Sequence, residues 1–317
     1  MADAWEVIGR ALGVVRQETI GLGLSGARVL RMVDAQGVPV AVVKVVDHRM
    51  GHLVSELEAE TARLAWLRRL GVPVPEVLGS GVDEGESWLA MRALPGRPAS
   101  DPWPAGEQDR VVDLLAHAAR ELHAASWEDT PFDRSLSSVL VEVRERVASG
   151  LVDRSWVIAG KEGPPAAVVL EELESLAGEL GDGTPVVSHG DFCLPNVLID
   201  ETGAAGFVDV GRAGLAGPHS DLADMTRSLR SHMNPQYGEA SARRFLDAYG
   251  RDGIDPERLR LHDLLESFFW PVPKRIHPAA RTEVRALHTF PSPSRVRLGS
   301  RVSRSTRWPQ EVVTGPC

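Results

Sequence analysis

The reading turns on Ser188-His189-Gly190-Asp191-Phe192-Cys193-Leu194-Pro195-Asn196-Val197-Leu198-Ile199, followed by Gly206-Phe207-Val208-Asp209-Val210-Gly211-Arg212. Polar residues here interrupt short apolar runs, within a strand-rich island from Pro185 to Val210 that lies between predicted helices. Asp191 and Asn196 sit five positions apart on a loop containing Pro195, and Asp209 ends a short apolar strand. The spacing predicts that three oxygen-bearing side chains converge on one cleft. Mg²⁺ is a hard cation that takes oxygens from one or two carboxylates and from substrate phosphates, a demand Asn196 and Asp209 can meet. Asp191 is then left to accept or orient a substrate hydroxyl. The competing reading makes them ordinary Asp and Asn turn residues, and it leaves the set as a whole unexplained.

Upstream, Lys44 stands inside Val-Ala-Val-Val-Lys-Val-Val and is one of only three lysines in a chain with 32 arginines. Burying an ammonium in a strand costs several kcal/mol unless an anion is present, and a compact point charge suits phosphate. An edge-strand lysine snorkelling to water is the alternative. The following helix offers Glu56, Glu58 and Glu60 as partners that could hold the ammonium against phosphate oxygens. Gly21-Leu22-Gly23-Leu24-Ser25-Gly26 fits G-x-G-x-x-G, but it joins two strands of a hairpin instead of opening a helix. That context argues against a dinucleotide fold and for a loop closing over the phosphates of ATP, with Gly21, Gly23, Ser25 and Gly26 exposing backbone N–H groups.

Outward from these motifs, Gln17 to Val46 reads as a hairpin around Val33 to Gly37 that leads into a third strand, Val38 to Val46. Ser55 to Leu70 has helical spacing and ends at Gly71, Pro73 and Pro75; Val77-Leu78 and Ser87 to Leu94 flank a turn at Asp83 to Glu86. Pro95-Gly96 then breaks the chain. Beyond it, residues 106–125, 135–149, 165–180, 218–230, 238–249 and 256–269 show helical periodicity. The expected organisation is a β-rich region over 1–94, a mainly helical one over 95–270, and an irregular Pro-, Arg- and Ser-rich tail over 271–317.

The composition, 43% hydrophobic and 25% charged over 317 residues, is that of a folded globular protein large enough for two lobes. No run approaches the roughly 20 apolar residues of a membrane helix, and no basic-then-apolar leader opens the chain, so a cytoplasmic address is expected. Two cysteines, at 193 and 317, make neither a repeating disulfide framework nor a four-thiolate zinc site. The net charge is −9, yet residues 271–317 carry nine basic and two acidic residues, which leaves −16 on residues 1–270. Such a body repels nucleic acid and attracts a cationic small molecule. His48 and His52 have the spacing of a helical metal pair but lack a third ligand, and His123 reads as a hydrogen-bonded structural residue.

His189-Gly190-Asp191 through Asn196, with Val208 to Arg212 and Asp221-Leu222-Ala223, resembles the aminoglycoside phosphotransferase family, especially its 3'-phosphotransferase branch. Gly71 to Pro75, Leu94-Pro95-Gly96, Leu122-His123 and Leu264 to Phe269 support the resemblance, which runs from about Glu18 to Phe269. It implies an α+β, protein-kinase-like fold of two lobes: a small antiparallel β-sheet with one helix, then a mainly helical lobe. It implies transfer of the γ-phosphate of ATP to an aminoglycoside hydroxyl, with Asp191 catalytic and Asn196 and Asp209 holding Mg²⁺. It further implies that Lys44 binds the α and β phosphates, that Glu60 positions Lys44, and that Met91 to Ala93 meet adenine through backbone groups. Asp221 would brace the catalytic loop, while Arg212, Arg227 and Glu266 would line the substrate side. The chain departs from the family pattern in three places: Ser231-His232 stands where an acidic pair is usual, Ser267 replaces a terminal carboxylate, and 48 residues follow Phe269. These departures thin the expected ammonium-binding set. Streptomycin 3''-phosphotransfer, another cationic antibiotic or small alcohol as acceptor, and a kinase-like protein that only binds are the alternative readings. The sequence carries no signal for an oligomeric state.

Overall fold

In Pro39–Asp47 alternate residues are apolar on both sides, so this strand can be satisfied only at the centre of a sheet covered on both faces. The computed structural model, which describes residues 4–22, 27–128, 130–152 and 165–269, places it there. After a short helix α1 (Ala4–Ala11), strands β1 (Arg16–Leu22), β2 (Arg28–Val33), β3 (Pro39–Asp47), β4 (Val77–Asp83) and β5 (Glu86–Arg92) form one antiparallel sheet in the order β1-β2-β3-β5-β4. Ala41, Val43 and Val45 point to one face, where they pack with Leu30, Met32, Trp88 and Ala90 and with Ile8 of α1. The other face is covered by α2 (Gly51–Arg69), whose Leu53, Leu57, Glu60, Leu64 and Leu67 form a buried stripe at helical spacing. Because Leu53 extends that stripe, α2 begins at Gly51, earlier than the Ser55 start expected from the sequence. α1 also lies outside what the sequence reading anticipated.

Gly96 does more than break the chain. It adopts φ +103°, and a Cβ there would lie 2.7 Å from the backbone carbon and oxygen of Ile199. That close approach lets a two-residue strand β6 (Arg97–Pro98) pair antiparallel with a strand of the island. The next elements are α3 (Gln108–His123), α4 (Leu136–Ala148), α5 (Ala166–Leu180), β7 (Val186–Ser188), β8 (Val197–Ile199), β9 (Ala205–Phe207) and β10 (Gly214–Ala216). They are followed by α6 (His219–Arg230), α7 (Glu239–Gly250) and α8 (Pro256–Glu266). All six helices expected after Pro95 are present. β6, β8 and β9 make one small sheet and β7 pairs with β10 in another, and both contact α3. One buried cluster runs from Leu57, Leu64 and Leu67 of α2 through Val197 and Phe207 to Leu222 and Phe245, joining the sheet region to the helical one.

The architecture is thus α+β, with an antiparallel sheet before a helical region. No helix among the described residues is long and apolar enough to cross a membrane. Residues 271–317, read from sequence as an irregular tail, lie outside the described residues. Gly96→Ala should lower stability by about 3 kcal/mol, since it combines a disfavoured φ with a backbone clash. Urea unfolding of the two proteins measures the difference, and an unchanged midpoint would contradict the close approach described.

Candidate functional site

Lys44 leaves β3 on the face toward α2, and its ammonium lies 2.8 and 2.7 Å from the two oxygens of Glu60. Its third neighbour is Asp209 Oδ1 at 2.9 Å, which comes from a segment 165 residues away. Glu60 is 4% exposed and the Lys44 side chain 16%, whereas Asp209 is 57% exposed and so faces an open cleft. Burial works against the Lys44 charge, but Asp209 and Glu60 outweigh it and hold the ammonium above the ordinary lysine value. The Lys44 charge in turn keeps Asp209 below the ordinary carboxylate value. Of the three glutamates offered by the helix, Glu60 alone falls in the buried stripe of α2. That i, i+3, i+4 register was the sequence signal able to select it without a resemblance.

The loop after β7 is fixed by one carboxylate. Asp221 on α6 is fully buried and accepts from Ser188 Oγ (2.8 Å), the His189 amide (2.8 Å) and the Gly190 amide (3.0 Å). Gly190 takes φ +75°, and a Cβ there would lie 2.3 Å from the Arg212 carbonyl oxygen, so only glycine fits. His189 donates from Nε2 to the Val208 carbonyl at 3.0 Å, which ties this loop to the segment carrying Asp209. The hairpin β8–β9 completes the convergence: Val197 opposes Phe207, and Val208 N–H donates to the Asn196 carbonyl at 3.0 Å. Asn196 and Asp209 therefore emerge together from the open end of one hairpin. Asp209 adopts φ +59°, a left-handed conformation unusual for a residue with a Cβ.

The Asn196 side-chain amide donates to the Asp191 carbonyl at 3.0 Å and to Asp191 Oδ2 at 2.9 Å. With its nitrogen so engaged, the group Asn196 can offer a cation is its oxygen, and Asp209 adds carboxylate oxygen at the open cleft. That donor set is the hard-oxygen chemistry Mg²⁺ requires. Burial pushes Asp191 up to about 7, with Arg212 pulling it down and Asp209 and Glu266 adding to the rise.

On the opposite side of Asp191, Arg212 reaches Glu266 of α8 at 3.2 Å and lies over the Phe269 ring, 4.4 Å from its centroid. Arg227 donates to Asp224 at 2.6 Å and to Asp263 at 3.4 Å, while its Nε is buried without a hydrogen-bond partner. Burial pushes the Asp224 carboxyl up to about 8 despite Arg227. Asp224 and Asp263 were not anticipated from the sequence. Asp224 lies three positions from both Asp221 and Arg227, and Asp263 three from Glu266, so the shared helix faces were available as a signal. The acidic side is thus less thin than Ser231, His232 and Ser267 suggested.

Some expected groups are placed differently or lie outside view. Met91 is buried in β5, and the Ala93 amide donates to the Val40 carbonyl at 3.1 Å, so that amide is committed within the protein. Gly21 lies in β1 opposite Val29, while Gly23, Ser25 and Gly26 fall outside the described residues. His48 pairs with Ser87 Oγ at 2.8 Å.

The family described as phosphotransferase enzyme family matches residues 16–262. An aminoglycoside 3'-phosphotransferase of Streptomyces fradiae is 38% identical over 250 residues, covering 78% of this chain and 92% of its own. A streptomycin 3''-kinase of Streptomyces griseus is 36% identical over 261 residues, covering 78% of this chain and 90% of its own. The crystal structure of an aminoglycoside-3'-phosphotransferase of type VIII superposes with a TM-score of 0.70 at 38% identity, over 85% of this chain and 99% of that one.

Lys44→Met should strand Glu60 as a buried, uncompensated carboxylate and lower stability by about 3 kcal/mol. Adding Glu60→Gln should return most of that loss. Thermal unfolding of the single and double variants checks the pair, and parental stability in Lys44→Met would show that it holds nothing.

Proposed function

The chain belongs to the phosphotransferase enzyme family, and from that premise we propose that it moves the γ-phosphoryl group of ATP to the 3'-hydroxyl of an aminoglycoside antibiotic, thereby conferring resistance. The observation that carries this reading is the 2.9 Å contact of Lys44 with Asp209, which brings the sheet region and the polar island to one cleft. In this reading residues 1–94 form the nucleotide lobe and 95–270 the catalytic and substrate lobe, acting in the cytoplasm.

Lys44, kept in place by Glu60, takes the α and β phosphates. Asn196 and Asp209 would hold Mg²⁺, which when bound neutralises charge on the phosphate oxygens. Asp191 orients the acceptor hydroxyl and accepts its proton late, because the transferring group passes through a loose transition state with little call for early deprotonation. Alignment and charge neutralisation supply most of the rate enhancement. The Gly21–Gly26 stretch would close over the phosphates, and the backbone from Met91 to Ala93 would meet adenine. Glu266, Asp263 and Asp224 receive the ammonium groups of the drug, with Arg212 and Arg227 releasing them on binding. The acidic body, −16 over residues 1–270, favours encounter with such a polycation.

The similarity to a streptomycin 3''-kinase keeps a second acceptor in play. ADP release with kanamycin, neomycin, streptomycin and a macrolide separates the readings, and NMR of the product locates the phosphate. Turnover of kanamycin and neomycin at the 3' position is expected. Turnover of streptomycin alone would replace the 3' reading, and Mg²⁺-dependent turnover of none would favour a binding protein.

Asp191→Ala should lower kcat by roughly a thousandfold while Mg·ATP affinity stays near parental, as for loss of a group that orients and deprotonates the acceptor. Normal kanamycin phosphorylation by this variant would overturn the assignment. Glu266→Gln and Asp263→Asn should each raise the KM for kanamycin by roughly tenfold and leave the KM for ATP unchanged, as expected for a lost charged hydrogen bond. Steady-state kinetics on both substrates reads this split, and unchanged kanamycin KM values would remove α8 from drug recognition.

A further inference from the structure

Three of the four hydrogen bonds into Asp221 come from the residues immediately before Asp191; the fourth comes from α3. His123 Nε2 lies 3.0 Å from Asp221 Oδ2, and its ring is 4% exposed. Burial disfavours the Asp221 charge, but the hydrogen bonds from His123 and from the His189 amide hold it below the ordinary aspartate value. An ionised carboxylate accepts only, so His123 Nε2 must be the donor. In the neutral ring Nδ1 is then an acceptor, and the Tyr249 hydroxyl of α7 lies 2.8 Å from it. The tyrosine O–H therefore donates to Nδ1. The two rings also meet edge to face, with centroids 5.6 Å apart. In the opposite tautomer a nitrogen lone pair would face the carboxylate, and the fourth donor into Asp221 would be lost.

We propose that Tyr249 and His123 form a buried positioning relay, in which the tyrosine hydroxyl locks the histidine tautomer that holds Asp221, and Asp221 in turn fixes the loop presenting Asp191. α7 carries no group at the reacting atoms, yet through this relay it sets the rate of phosphoryl transfer. The proposal rests on the reading of Asp191 as the catalytic residue. Its physical basis is the steep dependence of rate on the placement of a reacting group.

Tyr249→Phe preserves the ring and removes only the hydroxyl. It should lower kcat with kanamycin by roughly five- to tenfold, the effect of misdirecting one hydrogen bond, with KM for ATP and kanamycin unchanged. ¹⁵N-histidine NMR of the full chain should show His123 as the Nε2–H tautomer in the parent and as a mixture in the variant. In a His123→Gln background the side-chain amide donates to Asp221 with no tautomer to fix, so Tyr249→Phe should cause no further loss. Parental kcat in Tyr249→Phe, an equal loss in both backgrounds, or a rise in KM alone would each overturn the relay. If the parent turned over no acceptor, the Asp191 reading would fail, and the tautomer measurement would still decide the relay.

Discussion

A single ammonium placed between two carboxylates sets most of what this structure must be. Lys44 cannot remain charged inside a sheet unless Glu60 sits opposite it, and Glu60 cannot stay ionised on the buried stripe of α2 without Lys44. The third member, Asp209, belongs to the far end of the polar island, so the pairing also fixes where the sheet region meets the helical one. The apolar cluster that runs from α2 through β8 and β9 to α6 holds those parts at that separation. Hydrophobic burial supplies the adhesion, and the ion triad specifies the register in which it occurs.

The second constraint is a carboxylate used as a hub. Asp221 gathers backbone and side-chain donors of Ser188, His189 and Gly190 into one rigid turn, and Gly190 allows that turn to lie against Arg212. Asp191 projects from this turn with Asn196 at its flank. Asp191 and Asn196 thus stand on the rigid side of the cleft. The other side is a set of exchangeable ion pairs: Arg212 with Glu266, and Arg227 with Asp224 and Asp263. Arginines paired with those carboxylates keep an acidic wall from repelling itself apart.

Particular residues show where sequence reasoning reached and where it stopped. Lys44 was conspicuous because a charge among valines must be explained, and Asp191, Asn196 and Asp209 because polar residues of one chemistry cluster at strand ends. By charge alone Glu60 is one of three candidates on α2, and both the resemblance and the register of the buried stripe single it out. Asp224 and Asp263 were invisible as a pair, since α6 and α8 are distant in sequence and only their packing brings Arg227 between them. The Ala93 amide, which the resemblance assigns to adenine, donates to the Val40 carbonyl of β3, a contact that no local pattern shows. α1 and the Gly51 start of α2 were missed because the core contacts that sustain them come from residues far along the chain.

The sequence by itself determined the class of element along the chain, the break at Pro95-Gly96, and the chemical inventory of the cleft. All three are local properties: periodicity, turn chemistry and the unusual placement of charge are written in neighbouring residues. Which oxygens meet which nitrogens was decided only by the tertiary structure. Lys44 to Asp209, His123 to Asp221 and Arg227 to Asp263 span 165, 98 and 36 positions, and contacts at such separations follow from how sheets and helices close on a shared core. Short-range pattern carries no information about that closure.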